Sequence, residues 1–182
     1  MVAGAGNAAR AAETKTAIFA GGCFWSMELA FDEVDGVTET VSGYAGGTAP
    51  NPTYGNHEGY KEAVKVTYDP AKATYAKLLN QYWHNIDPFD PDGQFCDKDL
   101  PYQAVIYFGG ADEKTLAEKT KQEVAARFDR PVVTRIEPAT TFYAAEDYHQ
   151  DYHIKNPASY KAYKWGCRRA QNVAKIWGDK QS

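Results

Sequence analysis

The sequence is poor in cysteine, and what it has is scattered. Cys23, Cys96 and Cys167 are the only three in 182 residues, each more than 70 positions from the next, and no Cys-x-x-Cys occurs. That spacing excludes a zinc knuckle and a thioredoxin-type motif, and an odd count argues against a disulfide-stapled scaffold. It leaves room for one reactive thiol. No apolar run approaches the roughly 18 residues needed to span a bilayer. No excess of basic residues marks a nucleic-acid binder, since the formal net charge is −4. The reading expects neither membrane nor nucleic acid as a partner.

What is present suits one ordinary domain with its own core. Hydrophobic residues make up 43% of the chain and aromatics 14%, with 13 Tyr and 4 Trp. Such a Tyr count fits a Tyr-rich core and surface, or a pocket with apolar walls and hydroxyl tips. Residues 1–14 are rich in Ala and Gly, carry only Arg10 before Glu13, and lack the apolar segment of a complete secretory signal. They are set aside as a leader or tag remnant, leaving a single domain over residues 15–182. The expected location is cytoplasmic, or periplasmic if a leader has been trimmed.

Apolar periodicity orders the elements. Thr16–Ala20 is a short β-like run closed by Gly21-Gly22. Phe24, Met27, Phe31 and Val34 recur at helical steps, with Gly36 as the stop. Val37–Tyr44 and Ala63–Tyr68 alternate as strands, separated by a loop rich in glycine. Thr74 is placed to cap a helix whose apolar face is Leu78, Leu79, Tyr82, Trp83 and Ile86. Asp87–Pro101 reads as a long polar loop, a length often tied to function. Tyr102–Phe108 is read as a strand, Asp112–Phe128 as a helix, Val132–Glu137 as a strand and Ala144–His153 as a helix. The order β-α-β-β-α-β-α-β predicts an α+β, two-layer ferredoxin-like (split βαβ) sandwich. Its sheet is expected to be mostly antiparallel, with helices on one face and a long coiled C-terminal tail.

Cys23 lies between a strand end and a helix start. The N–H groups and positive end of a helix favour an anion, so a thiol there is expected below its free pKa of about 8.5. Two preceding glycines let the backbone turn sharply and uncover the sulfur. Taken alone, a buried packing role for this cysteine is as credible as a nucleophilic one. Phe24 and Trp25 follow, either as core residues or as an aromatic wall suited to a methyl group.

The run Gly22-Cys23-Phe24-Trp25 with Glu28 resembles the signature of the A-type peptide methionine sulfoxide reductases. The resemblance continues in order through Gly43-Tyr44-Ala45-Gly46-Gly47, Asn51-Pro52-Thr53-Tyr54 and Glu62-Ala63-Val64 before Tyr68-Asp69-Pro70. It extends to Phe142-Tyr143-Ala144-Ala145-Glu146-Asp147-Tyr148-His149-Gln150, covering roughly Thr16 to Pro157. It implies an enzyme that reduces methionine S-sulfoxide, free or in proteins, as oxidative damage repair. In this reading Cys23 attacks the sulfoxide sulfur and becomes a sulfenic acid.

By the same resemblance Glu62 is the acid that protonates the departing oxygen. Its carboxyl, beside aromatic groups, is expected to stay protonated at about pH 7. Tyr54 and Tyr102 resemble the tyrosines that hold the sulfoxide oxygen, Asp97 a site aspartate, and Phe24 and Trp25 the wall. No metal or cofactor is implied, and the protein is expected to act as a monomer.

The chain departs from a common family pattern in three places. Tyr60-Lys61 precede Glu62 where many members carry His-Ala, Asp87–Asp97 looks like a variant subgroup, and the glycine-rich tail with paired recycling cysteines is missing. The resolving thiol is therefore open between Cys167, on a tail beside Arg168 and Arg169, Cys96, and an external thiol. Thioredoxin or another thiol reductant would complete the cycle. A thiol peroxidase and a non-enzymatic binding module are the competing readings. His149 and His153, four apart, have the spacing of a metal pair but suit capping or surface roles better.

Overall fold

Alternating apolar residues become a sheet because one face of each strand is buried against helices. The structure, a computed structural model, describes residues 13–178; the leader expected over residues 1–14 lies, for its first twelve positions, outside them. Strands β1 (Lys15–Ala20), β2 (Val37–Ala45), β3 (Lys61–Tyr68), β6 (Val105–Phe108), β7 (Arg135–Pro138) and β8 (Tyr143–Ala144) form one six-stranded sheet, ordered β7-β6-β1-β3-β2-β8. A two-stranded ribbon, β4 (Gly93–Gln94) and β5 (Asp97–Lys98), stands apart. The inner four strands, β6-β1-β3-β2, run antiparallel to one another, the order that two interlocked split βαβ units produce.

Helices α1 (Phe24–Asp32), α2 (Tyr75–Trp83) and α3 (Ala111–Phe128) follow the turns that the sequence marks. The Thr74 hydroxyl accepts the Lys77 N–H at 3.1 Å and caps α2 as expected. Phe19 of β1 is fully buried and stacks on Phe31 at 4.9 Å and on Tyr82 at 5.3 Å, joining sheet to α1 and α2. Ala20, Ala45, Ala63, Val105 and Tyr107 form a smaller buried cluster.

Several boundaries differ from the sequence reading. The sheet is mixed: β7 pairs parallel with β6 because α3 supplies the crossover that a parallel pair needs. It begins at Arg135, not Val132. The strand expected over Tyr102–Phe108 begins only at Val105, because Tyr102 closes a 3₁₀ turn at Leu100–Tyr102 with Pro101 inside it. α1 stops at Asp32, before Gly36, which sits in the following turn with φ +99°.

The single helix expected over Ala144–His153 does not form. β2 takes the Tyr143–Ala144 backbone into the sheet, a 3₁₀ turn spans Asp147–His149, and left-handed Asp151 (φ 54°) precedes the short α4 (Tyr152–Lys155). The tail is not coiled either. It folds as α5 (Pro157–Cys167), opened by Pro157, and α6 (Arg169–Trp177), with a break at left-handed Arg168. Helix wins because Arg169, Val173 and Trp177 recur every four residues and all three are buried. Among the described residues no helix is long and apolar enough to cross a membrane.

The Phe19 stack generates a direct test. Phe19→Ala removes a ring from the contact of sheet with both helices, and we expect a loss of about 3–5 kcal/mol in urea unfolding. A loss under ~1 kcal/mol would mean that this contact does not organise the core.

Candidate active site

The turn between β1 and α1 is built for close approach. Gly22 has φ +84°, and a Cβ there would lie 2.6 Å from the Gln94 Cβ. Gln94 is fully buried and locks its own loop: its Oε1 accepts the Asp87 N–H at 2.7 Å, and its Nε2 donates to the Asp87 carbonyl at 2.8 Å. Cys23 then sits at the N-cap of α1, where its carbonyl accepts from Ser26 and Met27 N–H.

Its sulfur is a free thiol, 5% exposed. The Phe24 N–H does not serve it. That N–H donates instead to Glu62 Oε2 at 2.9 Å, across from β3. Glu62 is 2% exposed, and burial, aided by the negative charge of Asp97, outweighs the Phe24 bond and pushes its carboxyl up to about 8. The direction favours the protonated form near neutral pH.

The expectation of a lowered thiol pKa is overturned. Burial first, then the charge of Glu62, push Cys23 up to about 12, although the Trp25 N–H and the Tyr163 hydroxyl favour the anion. Helix position alone misleads here because the helix end is already occupied by a carboxyl group, and the sulfur has left water.

Tyr163 of α5 is the residue that the sequence did not single out. Its hydroxyl donates to Asp97 Oδ2 and is in hydrogen-bond contact with the Cys23 sulfur. Asp97 is partly buried, which holds its carboxyl above the usual range despite the pull of Tyr163, Arg169 and Lys98. Tyr54 and Tyr102 share this field: burial raises both phenols, and the charges of Glu62, Cys23 and Asp97 add to it. Tyr54 is 42% exposed and its backbone N–H is held by Glu146 Oε1 at 2.8 Å. Cys23, Glu62, Tyr54, Asp97 and Tyr102 are thus brought together.

Phe24 and Trp25 diverge, as neighbours on a helix must. Phe24 is 1% exposed and lies against Tyr44 and His149. Trp25 is half-buried, stacked on Tyr152 at 3.8 Å and edge-on to Tyr163 at 5.9 Å. His149 is buried rather than a surface or capping residue. Its Nδ1 accepts from Trp25 Nε1 at 3.2 Å, so a neutral ring bears its hydrogen on Nε2, which has no protein partner. His153 points elsewhere, 3.9 Å from Glu28 and 3.5 Å from Asp32, so the two histidines do not form a pair.

Both candidate resolving thiols are joined to each other, as the Cys96–Cys167 disulfide. Cys167 is buried at the end of α5 rather than on a loose tail, while Cys96 is exposed. Arg169 explains the placement. It turns inward, and its Nη2 donates to the carbonyls of Gly21 and Asn85, both at 2.9 Å, while its guanidinium covers the Phe95 ring. One buried cation therefore ties together the segments that carry all three cysteines. An Arg next to a cysteine was visible in the sequence, but not its inward turn.

The chain matches the family model described as peptide methionine sulfoxide reductase over residues 15–181. It is 47% identical over 174 residues to peptide methionine sulfoxide reductase MsrA 2 of Rhizobium meliloti (strain 1021), covering 94% of this chain and 88% of that one. Among solved structures it resembles reduced Mxr1 from Saccharomyces cerevisiae, with a TM-score of 0.73, 28% identity, and coverage of 82% of this chain and 89% of that one. Mxr1 in complex with Trx2 matches at a TM-score of 0.56 and 24% identity, over 79% and 87% of the two chains.

The raised Glu62 carboxyl has a consequence for stability. Its folded pKa exceeds the unfolded value, so its contribution is fully present below about pH 4.5 and is lost as pH rises through about 8. Glu62→Gln removes that loss. Denaturant unfolding is expected to show the variant gaining on the parent by a few kcal/mol between pH 5 and pH 9. A gap independent of pH would show that the carboxyl is not held neutral.

Proposed function

The chain belongs to the peptide methionine sulfoxide reductase family, and on that premise we propose how its site reduces methionine S-sulfoxide, free or in polypeptides, to methionine. The observation that carries the mechanism is a buried Glu62 carboxyl, bonded to the Phe24 N–H, at the same helix start as a free Cys23 thiol.

The substrate methyl group rests against Trp25 and Phe24, and its oxygen turns to Glu62, Tyr54 and Tyr102. A sulfoxide oxygen gains negative charge as sulfur is attacked, and in a dry pocket that charge is costly unless a proton meets it. Glu62 supplies the proton, and the thiol proton of Cys23 restores it. The sulfoxide S–O bond breaks, the oxygen passes to Cys23 as a sulfenic acid, and methionine leaves. The high thiol pKa fits this order, because the sulfur need not be an anion until a polarised sulfoxide is in place.

Recycling follows from the three sulfurs. With Cys96 and Cys167 reduced, Cys167 attacks the sulfenic acid of Cys23 and expels water. Exposed Cys96 then attacks Cys167, freeing the Cys23 thiol and leaving the Cys96–Cys167 disulfide for an external dithiol. The Asp97–Tyr163 bridge between Cys23 and Cys167 supports this route. Thioredoxin is the reductant we favour, in keeping with the Mxr1 complex with Trx2.

The reduced parent should reduce dabsyl methionine S-sulfoxide and Cys23→Ser should not; turnover of peroxide alone by the parent would remove the reductase reading. Glu62→Gln should lower kcat by ~10²-fold or more with a small change in KM. The parent rate should fall as pH rises through about 8, and the variant should lack that limb. Unchanged kcat would end the acid role of Glu62. Cys96→Ser should complete one turnover and stall as a Cys23–Cys167 disulfide, read by mass spectrometry. Full cycling in that variant would return the resolving step to an external thiol.

A further inference from the structure

Asp97 stands between two sulfurs, and the sulfoxide chemistry needs only one of its contacts. Oδ1 lies 3.7 Å from Cys96 Sγ and Oδ2 lies 3.8 Å from Cys167 Sγ. The donor atoms of Cys96, Asp97 and Cys167 all fall within 4.8 Å of one another, and no other trio of His, Cys, Asp or Glu does so among the described residues. In the disulfide these sulfurs cannot bind a metal. Reduction by a dithiol adds two electrons and two protons, breaks the S–S bond and lets the sulfurs separate while Cα atoms 5.1 Å apart hold them close.

Once the S–S bond opens, these three groups are near enough to close on a tetrahedral centre. Zinc–sulfur bonds of about 2.3 Å place two thiolates about 3.8 Å apart, and a carboxylate oxygen at about 2.1 Å lies about 3.5 Å from each. Each sulfur already has one carboxylate oxygen within 3.8 Å, Cys96 facing Oδ1 and Cys167 facing Oδ2, so a turn of the carboxylate that sets one oxygen between the separated sulfurs completes the set. The outer shell is also in place: Tyr163 donates to Asp97 Oδ2, as second-shell donors orient ligating carboxylates. Two thiolates select a thiophilic ion such as zinc over magnesium or calcium.

The geometry points to a site for a thiophilic divalent cation, formed in the dithiol state by Cys96, Cys167 and Asp97, with the fourth position left to solvent. Binding displaces the two thiol protons. Metal and disulfide exclude each other, so the ion would hold the pair reduced and keep Cys167 from the Cys23 sulfenic acid. Metal binding goes beyond the reductase reading and does not depend on the recycling order, whereas its effect on Cys167 rests on that reading.

Cobalt(II) reports on such a site directly. Protein reduced with a phosphine should bind one equivalent and show thiolate-to-cobalt charge transfer and the visible bands of a tetrahedral ion, both bleached by zinc. Cys23→Ser should retain the spectrum, and Cys96→Ser should lose it; Cys96 is exposed, so its exchange leaves the fold intact. Asp97→Asn should weaken zinc binding by at least the ~10-fold that losing an outer partner of a metal ligand costs. The disulfide form should bind none. No spectrum in the reduced parent, equal binding by the disulfide form, retention in Cys96→Ser, or loss in Cys23→Ser would each overturn the proposal.

Discussion

The Phe24 N–H and the Glu62 carboxyl form the contact on which the site depends. A helix start leaves its first amides without partners, and a strand across the sheet supplies an acceptor for one of them at 2.9 Å. Because that acceptor is cut off from water, it answers the amide without giving up its proton at neutral pH. Cap and acid are therefore the same group. The arrangement ties the pitch of α1, the register of β3 and the state of the Cys23 sulfur into one local equilibrium, in which a charge on either acid group raises the cost of charge on the other.

The same reasoning shows why the thiol departs from a simple helix-end rule. A helix end lowers a cysteine pKa when the sulfur is the anion that meets it. Here a carboxyl has taken the leading amide, the Tyr163 hydroxyl proton goes to Asp97, and the Trp25 N–H is left for sulfur. Desolvation then dominates.

Much of this was legible in the chain. Strand, paired glycines, cysteine and aromatic pair follow one another along the sequence, and the local turn keeps them together. Glu62, Tyr54, Asp97 and Tyr102 needed the family resemblance, because a carboxylate or tyrosine in isolation looks like any surface residue. Tyr163, Arg169 and the Cys96–Cys167 bond were not legible. Each depends on how α5 and α6 pack back on the body, and the tail reads as mixed because Lys161, Lys164, Trp165 and Arg168 on its outer side blur the apolar stripe. The mistaken helix over Ala144–His153 has a similar origin: local pattern favoured helix, and an open edge of β2 claimed the backbone first.

Arg169 carries a broader implication. Its guanidinium reaches the carbonyl two residues before Cys23 and covers the ring beside Cys96, from a position two residues after Cys167. A tail anchored by one interior cation can be lengthened, shortened or rebuilt beyond that anchor while still delivering its sulfur to the same address.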